Sequence, residues 1–201
     1  MVAYGIGPVP DGRGVVPWVK NGAVFDEVTR MALAAREGDR VAFAGFVRQT
    51  QGDVWRLCAH LVDRDSADDL TQETYLRAVS AITRFRGDAA AKTWLLSIAR
   101  RVCADAIRQR ARGRRALRRR GVDPVEVPAR AGEIELEALL AALTTDRRVA
   151  FTLTQVLGLS YDEAAEVVGC PVGTIRSRVA RARSDLLAAV TAEAPHRSSG
   201  G

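Results

Sequence analysis

The residues best equipped for chemistry lie near the C-terminus, in "LSYDEAAEVVGCPVGTIRSRVARARSDLL" from Leu159 to Leu187. Its second half sets Arg176, Arg178, Arg181 and Arg183 among small and aliphatic residues. A guanidinium is a fixed fork of donors that fits a phosphate or the edge of a guanine, so this run suits recognition of nucleic acid rather than bond-making. The pattern holds nothing suited to catalysis. Cys58, Cys103 and Cys170 are far apart and in no CxxC pair, and His60 and His196 lack metal-ligand spacing. No paired-carboxylate motif, phosphate loop or nucleophile with its base is visible. The expectation is a binding protein with no metal, no cofactor and no enzymatic activity.

The elements that must position those arginines are legible. Ser160 and Glu163 form S-x-x-E, a capping box that starts a short helix. Tyr161, Ala164, Ala165 and Val168 give it an apolar face, and Gly169 ends it. Pro171 suits the first turn of a following helix. There Ile175, Val179, Ala182 and Leu186 recur at helical spacing within a stripe of roughly 60°. Gly173, Ser177, Ala180 and Ser184 lie opposite, small and edged by arginine. Two helices about a short glycine-containing turn are the arrangement that seats a second helix in the major groove. An ordinary helical hairpin with a solvated basic face is the plainer reading of the same residues.

The remainder of the chain reads as helices too. Residues 1–24 are rich in Gly, Pro and Val without period, and are expected to be a disordered tail. "FDEVTRMALAAREGD" is a helix ended by Gly38, and Phe43, Phe46, Val47, Thr50, Val54, Leu57, Cys58 and Leu61 mark a long amphipathic one. Ser66, with Asp69 three residues on, is expected to cap a third that runs to about Ile82. A loop, "RFRGDAAAK", leads to a fourth from about Thr93 to Arg110. The stretch from 112 to 131, with its arginine run, Pro124 and Pro128, is a basic linker. Helical patterning resumes over 132–191, and 192–201 is a second disordered tail. The fold class is therefore all-α, with two small helical domains, 25–111 and 132–191, the second ending in a helix-turn-helix.

With 201 residues, 47% apolar content and a net charge of +6, the chain is globular and basic. No uncharged apolar run approaches the ~18 residues of a spanning helix, and no signal peptide opens it. A cytoplasmic protein without membrane insertion is expected, its cysteines acting as small buried hydrophobes.

Two blocks carry a family resemblance. "SADDLTQETYLRAV" with "RFRGDAAAKTWLLSIARRVCADAIRQRAR", and later "GLSYDEAAEVVGCPVGTIRSRVARAR", resemble regions two and four of an extracytoplasmic-function (ECF, group IV) RNA polymerase sigma factor. The likeness covers about residues 25–190, with both blocks in order. It implies a promoter-specificity subunit whose partners are core RNA polymerase, at the largest-subunit clamp and the flap region, promoter DNA, and an inhibitory anti-sigma factor.

The resemblance assigns Asp68, Asp69, Gln72, Glu73 and Leu76 to polymerase docking, and an acidic face around one exposed leucine suits a protein partner. It assigns the loop Arg84–Lys92 to capture of an unstacked base of the minus-ten element, with Arg84, Phe85, Arg86, Asp88 and Lys92 as candidates, while Phe85 taken alone reads as a core anchor. Arg100, Arg101 and Arg108 share a basic strip on the next helix, suited to phosphates near the melted strand. Asp105 borders that strip, placed to orient Arg101 or Arg108. Thr174, Arg176, Ser177, Arg178 and Arg181 form the expected minus-thirty-five set. The family commonly has proline after the leucine where this chain reads "LTTD", and Thr144 or Thr145 is expected to cap the helix there. The rival function is a free-standing helix-turn-helix regulator, which would bind duplex tightly without polymerase.

Overall fold

Alternation of apolar and polar residues at helical spacing is realised as eight α-helices in a computed structural model that describes residues 18–20, 23–119 and 134–193. In order they are α1 (Glu27–Arg36), α2 (Arg40–Leu61), α3 (Ala67–Ala81), α4 (Ala91–Arg119), α5 (Ile134–Ala142), α6 (Thr145–Phe151), α7 (Tyr161–Val168) and α8 (Val172–Glu193). A 3₁₀ turn, Ile82–Arg84, follows α3, and a π turn, Thr152–Val156, follows α6. One departure precedes α1: Trp18–Lys20 and Ala23–Phe25 pair as antiparallel strands β1 and β2, with Trp18 opposite Phe25. No strand period is visible there because three-residue strands are too short to display one. At the other end α8 runs to Glu193, two residues into the tail expected over 192–201. The rest of the expected 1–24 tail, linker residues 120–131 and the tail from 194 lie outside the described residues.

The first unit packs α1 to α4 around Phe46, Leu57, Leu95 and Leu96, all fully buried. At roughly 1.5–3 kcal/mol for each large apolar side chain withdrawn from water, this cluster carries the unit. Cys58 and Cys103 belong to it, buried with their sulfurs 3.7 Å apart. Hydrogen bonding to Cys58, followed by burial, pushes the Cys103 thiol far up, so it stays protonated. The second unit packs α6, α7 and α8 around Leu153, Ile175 and Val179. Leu140 and Leu143 lie in a smaller apolar cluster with Ala182 of α8.

The two units touch. α4 packs on α7, and α2 on α6 and the π turn, so buried residues of both form one continuous apolar cluster.

Three local expectations need correction. Ser66 stands at the start of α3, but its backbone is already helical and its hydroxyl caps nothing. Its N–H instead donates to Asp63 Oδ1 at 2.8 Å, and its hydroxyl accepts from Arg110. Thr144 holds the cap position of α6 without a side-chain cap bond. Finally α4 does not stop at Arg110 but continues to Arg119, so the linker cannot begin at 112. Arginine and alanine favour helix strongly enough to carry it past the buried part.

Candidate nucleic-acid and partner interfaces

The helix-turn-helix forms as its residues dictate. Ser160 Oγ accepts from the Glu163 amide while the Glu163 carboxylate accepts from the Ser160 amide, which closes the capping box. Gly169 takes φ 74°, a left-handed conformation that costs glycine little, and Pro171 precedes the first residue of α8. Ile175 and Val179 are buried, which fixes the rotation of α8 and leaves Gly173, Arg176, Ser177, Ala180 and Arg181 exposed on its other side. Of the expected reading set, Arg176 and Arg181 extend from that face without an ion pair among the described residues. Arg178 is different. It is turned back to Asp146 of α6, 2.5 Å away, and is only 23% exposed. Thr174 is half-buried, and its carbonyl accepts from the Ser177 hydroxyl at 3.0 Å. Arg183 leaves the face to meet Gln155 Oε1 at 2.7 Å.

On α3 the burial of Ala67, Thr74 and Ala78 turns Asp68, Asp69, Gln72 and Leu76 outward. Leu76 is 65% exposed and Val79, one turn on, is 51% exposed, an apolar pair beside an acidic edge. Asp68 Oδ1 accepts from the Trp55 indole at 2.9 Å, and Glu73 holds Arg77 at 2.7 Å. Asp69 and Gln72 stay on the surface.

The loop between the 3₁₀ turn and α4 is clamped at both ends by α1. Arg36 Nη1 donates to the Phe85 carbonyl at 3.1 Å, and the Ala91 amide donates to Thr29 Oγ1 at 2.9 Å inside the core. Gly87, at φ 81°, allows the reversal between them. Arg84, Arg86 and Asp88 project into solvent. Phe85 does not. It is 4% exposed, its ring centred 5.1 Å from that of Trp94, so it anchors the loop and presents no face to a base. Lys92 is drawn to Asp53 of α2, 2.5 Å away. Nothing in the sequence singled out Thr29, Arg36 or Asp53, because each acts across more than thirty residues of chain.

Along α4, Arg101 and Arg108 are exposed and Arg100 is half-buried. Asp105 pairs with Arg108, as one of the two expected options, and with Arg77 of α3 at 2.8 Å; Arg101 is left out. Those two guanidiniums, Arg77 first, hold the exposed Asp105 carboxyl below its usual range. Arg100 Nε donates to the Val167 carbonyl at the end of α7, 3.1 Å away. This bond joins the two units through a residue expected on DNA.

Among the described residues no group of His, Cys, Asp and Glu is placed to hold a metal ion, and no helix is long and apolar enough to cross a membrane. The arrangement supplies donors for polyanions and an acidic-apolar patch for a protein.

Known proteins show the same organisation. Residues 46–113 match the family Sigma-70 region 2, and residues 133–186 match Sigma-70, region 4. The ECF RNA polymerase sigma factor SigC of Mycobacterium tuberculosis is 54% identical over 168 residues, covering 81% of this chain and 91% of that one. Among solved structures, CnrH in complex with the cytosolic domain of CnrY superposes with a TM-score of 0.68 at 27% identity, over 84% of this chain and 99% of that one. The sigma factor RpoE in complex with the anti-sigma factor NepR, from Bartonella quintana, gives 0.64 at 29% identity, over 75% and 98%. With both sigma-70 regions in order on one helical chain, and this identity over most of its length, the protein belongs to the ECF RNA polymerase sigma factors, promoter-specificity subunits of bacterial RNA polymerase.

Proposed function

We propose that this sigma factor docks on the clamp of core polymerase through the outer face of α3, with Leu76 and Val79 as the apolar centre and Asp68, Asp69, Gln72 and Glu73 around it. Burial of an exposed leucine against a partner supplies affinity, and the carboxylates steer the approach to a basic surface. The second unit reads the minus-thirty-five element through α8, with Arg176 and Arg181 reaching base edges or phosphates, Ser177 and Thr174 between them, and Arg178 released from Asp146 on contact. Arg84, Arg86 and Asp88 meet the minus-ten element, and Arg100, Arg101 and Arg108 follow its backbone. Phe85 and Lys92 serve by holding the loop in shape. The factor acts in the cytoplasm as a regulatory subunit without catalysis of its own. An anti-sigma protein is its inhibitor, by analogy with the relative solved in such a complex.

The observation that carries this reading is the presence, on one chain, of two rigid helical faces of opposite chemistry: acidic and apolar on α3, cationic on α8. Run-off transcription tests it. Purified core polymerase with this chain should yield discrete transcripts that neither yields alone. Asp69→Ala with Glu73→Ala should abolish them and weaken a core-polymerase pull-down while helix content is unchanged. Tight duplex binding by the chain alone, with no transcripts, would establish the free-standing regulator instead.

A further inference from the structure

The arginines of α4 are not scattered. Arg101, Arg108, Arg112, Arg115 and Arg119 are separated by seven, four, three and four residues. At ~100° per residue they fall within a stripe of about 60° that runs along the helix for about 27 Å. All five are exposed. Arg108 meets Asp105 at the proximal end, but Arg112, Arg115 and Arg119 have no ion pair among the described residues. From Ile107 to Arg119 there is no acidic residue at all. Like charges stacked three and four residues apart oppose the helix that carries them, and here no packed face offsets the effect, since residues 112–119 are exposed all round. Such a ridge offers a polyanion a row of cationic partners and would be relieved of its repulsion by one.

We propose that the distal half of α4 is a phosphate-binding track for the DNA duplex immediately upstream of the minus-ten element, with Arg112, Arg115 and Arg119 each neutralising one backbone phosphate. The proposal rests on the reading of Arg100, Arg101 and Arg108 given above, and extends it beyond the stretch matched to sigma-70 region 2, which ends at residue 113. Two features favour duplex over single strand. The track is collinear with Arg101, so it continues away from the loop proposed to meet the melted segment. Binding of single strands relies on aromatic stacking platforms, and residues 107–119 contain no aromatic side chain. Five points of charge over about 27 Å match about eight base-pair steps of duplex.

The test compares holoenzymes assembled with the wild-type chain, Arg112→Gln with Arg115→Gln and Arg119→Gln, and a control, Arg114→Gln with Arg118→Gln, which removes arginines from the other side of the same helix. Promoter affinity is measured from 50 to 300 mM KCl. Each lost phosphate contact lowers the slope of log K against log [salt] by about 0.9, so the triple variant should lose about 2.7 and the control much less. On a fork template that lacks duplex upstream of the minus-ten element, the triple variant should equal wild type. Replacing the three by lysine should restore the slope. An unchanged slope in the triple variant, or a loss of equal size on the truncated fork, overturns the proposal. So does a defect confined to complexes that carry a long nascent transcript, which would assign the ridge to RNA. If the wild-type chain assembles no holoenzyme, the reading beneath the proposal falls with it; a wild-type holoenzyme that opens the promoter makes any failure specific to the ridge.

Discussion

Thr29 shows how one hydroxyl holds the loop before α4. It donates to Asp26 Oδ2 at 2.6 Å and accepts the Ala91 amide at 2.9 Å, linking the start of α1 to the start of α4. Thr29→Val keeps the shape and removes both bonds, leaving a buried amide unpaired. The expected cost is about 1–3 kcal/mol in denaturant unfolding, with weaker discrimination among minus-ten sequences because the loop loses its tether. Tyr75 gives a prediction in pH. Burial first, and the charge of Asp53 with it, push its hydroxyl up to about 12, against the opposing bond to Thr50. A group whose folded value is raised contributes stability below its unfolded value near 10 and loses it as pH climbs toward 12. Stability of the wild type should therefore fall between pH 10 and 12, and Tyr75→Phe should flatten that fall in melts taken across the range. Neither residue stood out in the sequence. The partners that give them meaning are far along the chain.

At the scale of elements, what could be read from sequence was what neighbours decide. The capping box of Ser160 and Glu163, the left-handed Gly169 and the buried stripe of Ile175 and Val179 all depend on residues within a turn or two, and all form. Ser66 failed as a cap because Asp63 and Arg110, not its own helix, claim its groups. Phe85 could be read from sequence as a core anchor or as a base-stacker, and its burial beside Trp94 makes it the anchor. The rotation of α8 makes a prediction of its own. Arg176→Ala and Arg181→Ala should each cost about 1–3 kcal/mol on a cognate minus-thirty-five site in holoenzyme binding assays, while Arg183→Ala, held by Gln155, should cost less. Gly45 tests packing between α1 and α2. A Cβ there would stand 3.0 Å from Met31 Sδ, so Gly45→Leu should overpack the crossing and lower stability by about 1–3 kcal/mol in thermal melts.

For the whole molecule, the contact between α4 and α7 sets two demands against each other. It covers apolar surface, and it also occupies Arg100, which the proposed reading sets against minus-ten DNA. Engagement of both promoter elements should therefore separate the units. Spin labels at Ser97→Cys and Glu166→Cys, in a Cys170→Ser background, should be close in the free chain and move apart in the open complex with polymerase. Both units were legible in the sequence but their contact was not, since the residues that meet across it lie in separate motifs. The length of α4 carries one more consequence. Residues 120–133 are all that join its end at Arg119 to the start of α5 at Ile134. At 3.3–3.6 Å per residue that leash reaches at most about 50 Å. Had the nine residues after Arg110 been extended rather than helical, they would have added about 30 Å in place of about 13 Å. The helix thus works as a ruler: it shortens the leash, and with it the range of spacer lengths between promoter elements that one molecule can bridge.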